Sequence, residues 1–271
     1  MKSLVICMLM LSLPVLLFCQ SAPKLLGAST SALGNTDVMA TDCWAIDGNP
    51  SGIANEPLSV GISVDNRFCE SAMSVKGIST IIPWGITRVG LLYTHFGEST
   101  LSEQHMGLAF GRVFRKVQVG LSAHLYSRQS SEPAVPGSHA VAFSVGVLLP
   151  LNDAIHVGIA TDNPIAMYWS GHNHELLRQR ITIGIKWKMK SDWSSYLAVE
   201  KLTDWPLNIK IALDYSPIKS MSLKAGYSSE PSTLHLGTSL SWNQFSFIIS
   251  SLYQTTTGIS PQITLLWKNK K

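Results

Sequence analysis

The 271-residue sequence has few charged residues, few cysteines and no strongly basic stretch. Charged residues make up 14% of the chain, about half the share of a typical soluble globular protein, while apolar residues make up 45%. The net charge of +4 is spread along the chain and is not interleaved with aromatic residues, which argues against a nucleic-acid partner. These deficits indicate that part of the surface faces something other than water.

Long apolar runs are also scarce, and the longest lies at the amino terminus. Lys2 precedes an apolar stretch over residues 4–18, and small residues follow at 19–22, which is typical of a cleaved secretory signal. The stretch is about fifteen residues, shorter than the roughly twenty that a spanning helix needs. We therefore expect residues 1–21 to be a signal peptide. Cys43 and Cys69 would then remain, so at most one disulfide could form.

No later stretch of eighteen apolar residues occurs, so no transmembrane helix is predicted. A closed β-barrel is the other structure that satisfies backbone groups in hydrocarbon. From Leu58 onward, apolar residues alternate with small or polar ones, most clearly over residues 117–126, 181–190 and 207–214. Alternation with a period of two is typical of strands, and 68–82 is the least regular of them.

The connectors between the predicted strands alternate in length. Tight turns are predicted at 83–86, 114–116, 150–153, 190–192, 217–220 and 243–244, and longer polar loops at 97–103, 128–138, 163–175, 202–206 and 254–260. This pattern predicts an all-β fold, a transmembrane antiparallel β-barrel of about fourteen strands over residues 58–271, in the outer membrane of a Gram-negative bacterium. A soluble β-sandwich is the alternative, which the low surface charge disfavours.

Two features of the strands suggest which residues lie at the membrane interfaces and which face the lumen. Aromatic residues near predicted strand ends, including Trp84, Trp169 and Trp242, would form interfacial girdles. Glycines recur on the polar face, which suggests inward positions where the barrel curves or leaves space. The same face carries the residues that we expect to line a polar lumen, although a packed, salt-bridged interior is the alternative. They are His124, His156, Lys186, Lys210, Asp214 and His235.

Residues 22–57 differ from the strands, because they combine small and acidic residues with an Asn49-Pro50-Ser51-Gly52 turn. This run resembles the amino-terminal signature of the PorV/PorQ proteins and their FadL-like relatives. The resemblance extends in layout over the mature chain. It departs at Ser51, where alanine is usual, and at residues 268–271, which follow Trp267 although such barrels commonly end on an aromatic residue. It implies that residues 22–57 plug the barrel or cap its periplasmic end; an ordinary surface turn at residues 49–52 is the alternative.

Motifs of enzyme or metal chemistry are not found. Neither G-x-S-x-G nor H-E-x-x-H occurs, and no phosphate-binding glycine loop is present, so we predict no enzyme and no cofactor. His172, His174 and Glu175 could in principle bind zinc, but no cysteine pair or third histidine lies nearby in the sequence. A solvated loop is the simpler interpretation, and no metal site is predicted.

Two functions remain open. Resemblance to PorV and PorQ implies a non-enzymatic accessory barrel of a type IX-like secretion pathway, which would bind translocon subunits or exported proteins. Resemblance to FadL implies instead a channel that admits hydrophobic small molecules, with the amino-terminal segment as a plug. Both functions require outer-membrane lipid around the barrel. The short loops and the lack of an evident external hydrophobic groove favour the interaction role.

Overall fold

A computed structural model describes residues 24–132, 137–170 and 175–269. Fourteen antiparallel strands close into one barrel, in which each strand pairs with its neighbours in the sequence and β1 pairs with β14. The predicted fold class is therefore confirmed. The strands are β1 Ser59–Asn66, β2 Ser74–Trp84, β3 Thr87–Gly97, β4 Leu101–Phe114, β5 Val117–Ser130, β6 Ser138–Pro150, β7 Ile155–Asp162, β8 Arg180–Lys188, β9 Trp193–Leu202, β10 Asn208–Ile218, β11 Met221–Ser229, β12 Ser232–Trp242, β13 Phe245–Gln254 and β14 Gly258–Lys268. The predicted signal peptide lies outside the described residues.

The period-two pattern places apolar side chains on the outside of the barrel. In β10, Ile209 and Ile211 are 45% and 51% exposed, whereas the intervening Lys210 is 3% exposed. The same alternation recurs in the other strands, so the outer surface is apolar around the barrel. A continuous apolar surface of this size is typical of a membrane-facing barrel. Among the described residues, no helix is long and apolar enough to cross a membrane.

The two rims of the barrel differ. The short-turn rim carries the connections at 85–86, 115–116, 151–154, 189–192, 219–220 and 243–244, and the long-loop rim carries the others. The long-loop rim is uneven, because β4 and β5 have 14 residues each while β7 has 8. The connection after β7 takes the place of the missing strand length by pairing with β6. The Asn163 amide donates to the Phe143 carbonyl at 2.8 Å, and the Ser170 amide donates to the His139 carbonyl at 2.7 Å.

The first connection on the long-loop rim corrects the sequence prediction. The residues before Ser74 were expected to belong to a strand, but Arg67–Cys69 and Ser71–Met73 form 3-10 turns. Phe68 and Cys69 have φ angles of 58° and 56°, in the left-handed region, where a residue cannot continue a ladder. The strand prediction was therefore wrong for this stretch.

Residues 24–57, which we call the lumen segment, lie inside the barrel. They form one short helix, α1 (Gly27–Ala32), and three 3-10 turns, Asp37–Met39, Cys43–Asp47 and Pro50–Ile53. Helix α1 contacts β11 to β14, and the last turn contacts β3 to β6. The segment thus spans the interior from one wall to the other.

The hydrophobic core lies between the lumen segment and the inner wall. Trp44, Ile46 and Ile53 of the segment are at most 1% exposed and pack with Ile81 and Leu92 of the wall. Burying large apolar side chains of this kind stabilises a fold by about 1.5–3 kcal/mol each. The lumen segment is therefore an integral part of the packed interior.

Glycines on the inner wall allow this close packing. A Cβ at Gly90 would lie 2.7 Å from Ile46 Cδ1, and one at Gly237 would lie 2.6 Å from Ala32 Cβ. At Gly146 and Gly120 a Cβ would overlap Asn49 and the Pro50 backbone. The recurrence of glycine on this face therefore matches the space that the lumen segment occupies.

Candidate functional site

The Asn-Pro-Ser-Gly turn fixes the path of the lumen segment. Asn49 Oδ1 accepts hydrogen bonds from the Ser51 amide at 3.1 Å and from Ser51 Oγ at 2.6 Å. Asn49 Nδ2 donates to the Val38 carbonyl at 2.7 Å and to the Val147 carbonyl of β6 at 3.4 Å. Asn49 and Ser51 are both 0% exposed, so these bonds satisfy polar groups that water cannot reach. The turn thereby joins two parts of the segment and ties them to the wall.

A buried ion network joins the lumen segment to strands β7 to β10. Arg180 of β8 donates to Asp162 of β7 at 2.5 Å and to Glu200 of β9 at 3.1 Å, and it also pairs with Asp37 of the segment. The Arg180 side chain is 8% exposed. A guanidinium with several carboxylate partners suits such a site, since its fork of donors can serve them together.

Two lysines extend this network. Lys210 of β10 donates to Glu200 at 2.9 Å and to the Asn35 carbonyl at 3.0 Å. Lys24, at the start of the lumen segment, donates to Asp162 at 2.6 Å. Because the partners come from distant parts of the sequence, the network holds the segment to one wall of the barrel.

The six predicted lumen residues all lie on the inner face, but they do not form one site. His124, Lys210 and His235 are between 1% and 3% exposed and lie where the lumen segment packs against the wall. Lys186, Asp214 and His156 are half-buried nearer the short-turn rim. The lumen segment separates the two groups.

The second group makes local contacts. Asp214 accepts from Lys224 Nζ at 2.6 Å. Lys186 Nζ lies 5.4 Å from the centre of the Tyr196 ring, a cation–π distance. The packed, salt-bridged interior that the sequence left open therefore describes much of the lumen.

A cavity of about 330 Å³ lies between the lumen segment and the long-loop rim. Charged groups of the ion network line one side of it, including Lys24, Arg180 and Lys210. Apolar and aromatic side chains line another, including Leu26, Tyr126, Ala142, Leu177 and Leu202. We call this space the outer cavity; an adjoining cavity of about 420 Å³ shares Asn35, Arg67 and Lys210 with it.

The connection between β7 and β8 packs beside the outer cavity. Trp169 and Leu177 are 4% and 5% exposed and pack against Ala140 and Ala142 on the inner face of β6. The girdle prediction was therefore wrong for Trp169, because its connection folds back into the mouth of the barrel. A residue in an irregular connection gives no strand pattern from which to read its direction.

Arg128 fastens this connection in place. Its guanidinium lies 4.2 Å from the centre of the Trp169 ring and pairs with Glu175 at 3.2 Å and Glu103 at 3.3 Å. Glu175 thus serves an ion pair, while His172 and His174 lie outside the described residues. Of the three residues considered as zinc ligands in the sequence, Glu175 is accounted for by this ion pair.

A further cavity of about 380 Å³ lies on the short-turn side of the lumen segment. Thr36 and Met39 of the segment line it, together with Lys186, Asp214 and Lys224 of the wall. We call it the inner cavity. Burial raises the pKa of Asp42, which also lines this space, and the nearby Lys268 opposes the rise. The lumen segment thus lies between two cavities, one on each side.

The two cysteines among the described residues, Cys43 and Cys69, are both free. Cys43 is buried in the lumen segment, and Cys69 is exposed in the first connection of the long-loop rim, where it donates to the Ile259 carbonyl at 3.5 Å. The disulfide that the sequence left open is therefore not formed. Burial raises the pKa of the Cys43 thiol, and the neighbouring Asp42 adds to the rise.

Comparison with known proteins identifies the fold. No family model matches the chain, and no curated protein matches its sequence. Solved structures do match. The barrel is similar in fold to solved hydrocarbon channels. The toluene transporter TodX of Pseudomonas putida matches with a TM-score of 0.65 at 10% identity, over 92% of this chain and 99% of TodX.

Two other solved structures agree. The monoaromatic hydrocarbon channel CymD matches with a TM-score of 0.62 at 10% identity, over 91% of this chain and 98% of CymD. A FadL homologue of Pseudomonas aeruginosa matches with a TM-score of 0.57 at 10% identity, over 89% of this chain and 98% of the homologue. Identities this low show a common fold. The resemblance to PorV and PorQ is not confirmed and stays a prediction.

Proposed function

We propose that this protein is an outer-membrane channel for small molecules with an apolar body, closed at rest by its lumen segment. The observation that carries this proposal is the division of the barrel interior. The outer cavity of about 330 Å³ lies on one side of the segment and the inner cavity of about 380 Å³ on the other. Two cavities in line along a barrel are an arrangement suited to stepwise passage.

The outer cavity has the size and lining of a small-molecule site. Ligand sites commonly measure about 300–1,000 Å³ and combine an apolar wall with a few polar groups. Here Tyr126, Ala142 and Leu177 offer an apolar wall, while Lys24 and Arg178 offer cationic groups. This lining supports a ligand with an apolar body and a polar or anionic end.

The fold neighbours favour uptake over the accessory secretion role. TodX and CymD are a toluene transporter and a monoaromatic hydrocarbon channel. In the connection after β7, Trp169 and Leu177 are turned into the barrel mouth, while Ile165 and Tyr168 are 69% and 53% exposed.

Passage requires the lumen segment to move, and a disulfide can test this. A Cβ at Gly61 would lie 2.7 Å from Cys43 Sγ, so the Gly61→Cys variant can form a bridge between β1 and the segment. We would reconstitute this variant, in a Cys69→Ser background, into liposomes. Uptake of radiolabelled benzoate would be compared before and after oxidation, with glucose as a polar solute.

The expected result is benzoate uptake by the reduced protein, loss of uptake on oxidation, and recovery when the same sample is reduced again. Glucose should enter poorly in each state. Equal benzoate uptake in both redox states would contradict movement of the segment. No uptake above that of empty liposomes by the reduced protein would contradict the channel itself.

A further inference from the structure

Three buried side chains with metal-binding atoms meet where the lumen segment touches strands β4 and β5. They are Asp47 of the segment, His105 of β4 and His124 of β5. One donor atom from each lies within 4.8 Å of the others. The three residues are 1%, 5% and 2% exposed, respectively. The three residues are far apart in the sequence, so no short motif reveals the group.

The hydrogen bonds around the histidines leave Asp47 unsatisfied. Ser122 Oγ lies 2.8 Å from His124 Nε2, and His124 Nδ1 lies 2.9 Å from His105 Nε2. His105 Nδ1 is 3.9 Å from Asp47 Oδ2, beyond hydrogen-bond distance. Neither carboxylate oxygen of Asp47 has a hydrogen-bond partner among the described residues. A buried carboxylate in this condition is costly unless a cation neutralises it.

The ion network also has one more negative charge than positive charges. It contains four carboxylates, those of Asp37, Asp47, Asp162 and Glu200, and three cations, those of Lys24, Arg180 and Lys210. With neutral histidines its formal charge is therefore −1. The nearest cation to Asp47 is Lys24, whose ammonium group is 3.7 Å from Asp47 Oδ1 but bonds Asp162 at 2.6 Å. Asp47 is therefore the carboxylate of the network that has no closely bonded cation.

We propose that Asp47, His105 and His124 bind a divalent transition-metal ion of the zinc class. Two imidazole nitrogens and one carboxylate oxygen are a donor set that suits zinc and disfavours magnesium or calcium. Three protein ligands leave a fourth position for water. The ion would place positive charge beside Asp47 and give its carboxylate a partner, which a neutral side chain cannot do.

The surrounding residues hold the ligands in position. Ser122 engages His124 through Nε2 and leaves Nδ1 facing the site, which is the usual second contact of a ligating histidine. Tyr126 stacks on His105 with ring centres 4.4 Å apart and fixes the plane of that ring. His105 also lines the outer cavity, which gives an aqueous ion a route to the site.

Binding an ion would require side-chain rotations, because the nearest donor atoms of His105 and Asp47 are 3.9 Å apart. Tetrahedral zinc ligands at 2.0–2.1 Å lie about 3.3 Å apart. The two histidine nitrogens, now 2.9 Å apart, would separate by a few tenths of an ångström, and Asp47 would turn toward them. Because Asp47 belongs to the lumen segment and the histidines to the wall, the ion would fasten the segment in place. This inference holds whichever molecule crosses the barrel.

Metal binding to the folded protein in detergent tests this site directly. After treatment with a chelator, the protein would be titrated with Zn²⁺, and with Co²⁺ for its visible absorption. We expect one ion per chain and a Co²⁺ spectrum typical of four-coordinate geometry. Asp47→Asn and His124→Gln should each weaken binding by more than about 100-fold, since changes outside the ligand set already cost 10- to 100-fold. His156→Gln, on the inner face outside the cluster, is the matched control.

Heat-dependent electrophoretic mobility would show that each variant is a folded barrel before its binding is compared. Zinc should also slow labelling of Cys43, because the ion fastens the segment that carries this thiol. Failure of the folded wild-type protein to bind an ion at micromolar free Zn²⁺ would overturn the proposal, as would binding that Asp47→Asn leaves unchanged. An ion-free protein with His105 protonated on both nitrogens would show that a proton supplies the missing charge, which also overturns it.

Discussion

Single inner-face residues of this barrel are matched to particular atoms of the lumen segment. Gly120 and Gly107 lie on neighbouring strands, yet the space beside them differs. A Cβ at Gly120 would overlap the Pro50 backbone, whereas one at Gly107 would come no closer than 3.3 Å to its nearest neighbours. Backbone cannot be displaced as readily as the end of a side chain. The two positions therefore separate the effect of close approach from that of glycine flexibility.

Gly120→Ala should lower the free energy of unfolding by about 1–3 kcal/mol, the usual cost of overpacking a core. Gly107→Ala should have a smaller effect, because its neighbours need move only slightly. Urea-induced unfolding, followed by heat-dependent mobility in gels, would measure both. Equal destabilisation by the two variants would show that contact with the Pro50 turn is not the cause.

Asn49 is expected to matter more than Ser51 in the turn. Asn49→Ala removes the side chain that bonds Val38, Val147 and Ser51, and leaves buried groups unsatisfied at about 1–3 kcal/mol. Ser51→Ala removes only the hydroxyl donor to Asn49 Oδ1, which still accepts from the Ser51 amide. We expect Ser51→Ala to unfold at nearly the wild-type urea concentration. A larger loss for Ser51→Ala than for Asn49→Ala would contradict this account of the turn.

At the scale of elements, the sequence predicts the strands, whose pattern repeats. It does not predict the contacts between residues that are distant in the chain. Strict alternation predicts the strands and the inward direction of Lys210, because a strand has only two faces. The pairing of Asp37, Asp162 and Glu200 with Arg180 depends on strand register and on a segment without periodicity. Histidine at position 105 gives an inward-facing signal in β4, but its meeting with Asp47 cannot be read from spacing.

Arg180 holds the lumen segment, and the buried Cys43 can report its release. Arg180→Gln should leave its carboxylate partners without their shared cation and cost about 3–5 kcal/mol. We expect Cys43 to react faster with a maleimide in this variant. Cys69 is exposed in the folded protein and serves as the internal reference.

Arg67→Gln is the matched control, because Arg67 pairs with Asp65 of β1 and not with the segment. Its Cys43 labelling rate should equal that of the wild-type protein. Cys43 labelling in Arg180→Gln that stays as slow as in the wild type would show that packing alone holds the segment.

For the whole molecule, the two main features are the apolar exterior and the packed interior of the barrel. The exterior favours a position in the outer membrane, and the lumen segment fills the barrel between the outer and inner cavities. The low charge and the alternation already predict such a barrel. Whether it admits small molecules depends on the lumen segment, whose irregular path the sequence pattern does not reveal.

Single-channel conductance in planar bilayers tests the central claim, that the lumen segment closes the barrel. The wild-type protein would be compared with a variant lacking residues 24–57, each shown to be a folded barrel by its heat-dependent mobility. We predict little steady conductance for the wild type and a stable open pore for the variant, because the segment fills the interior that the variant empties. Equal conductance of the two proteins would contradict the account.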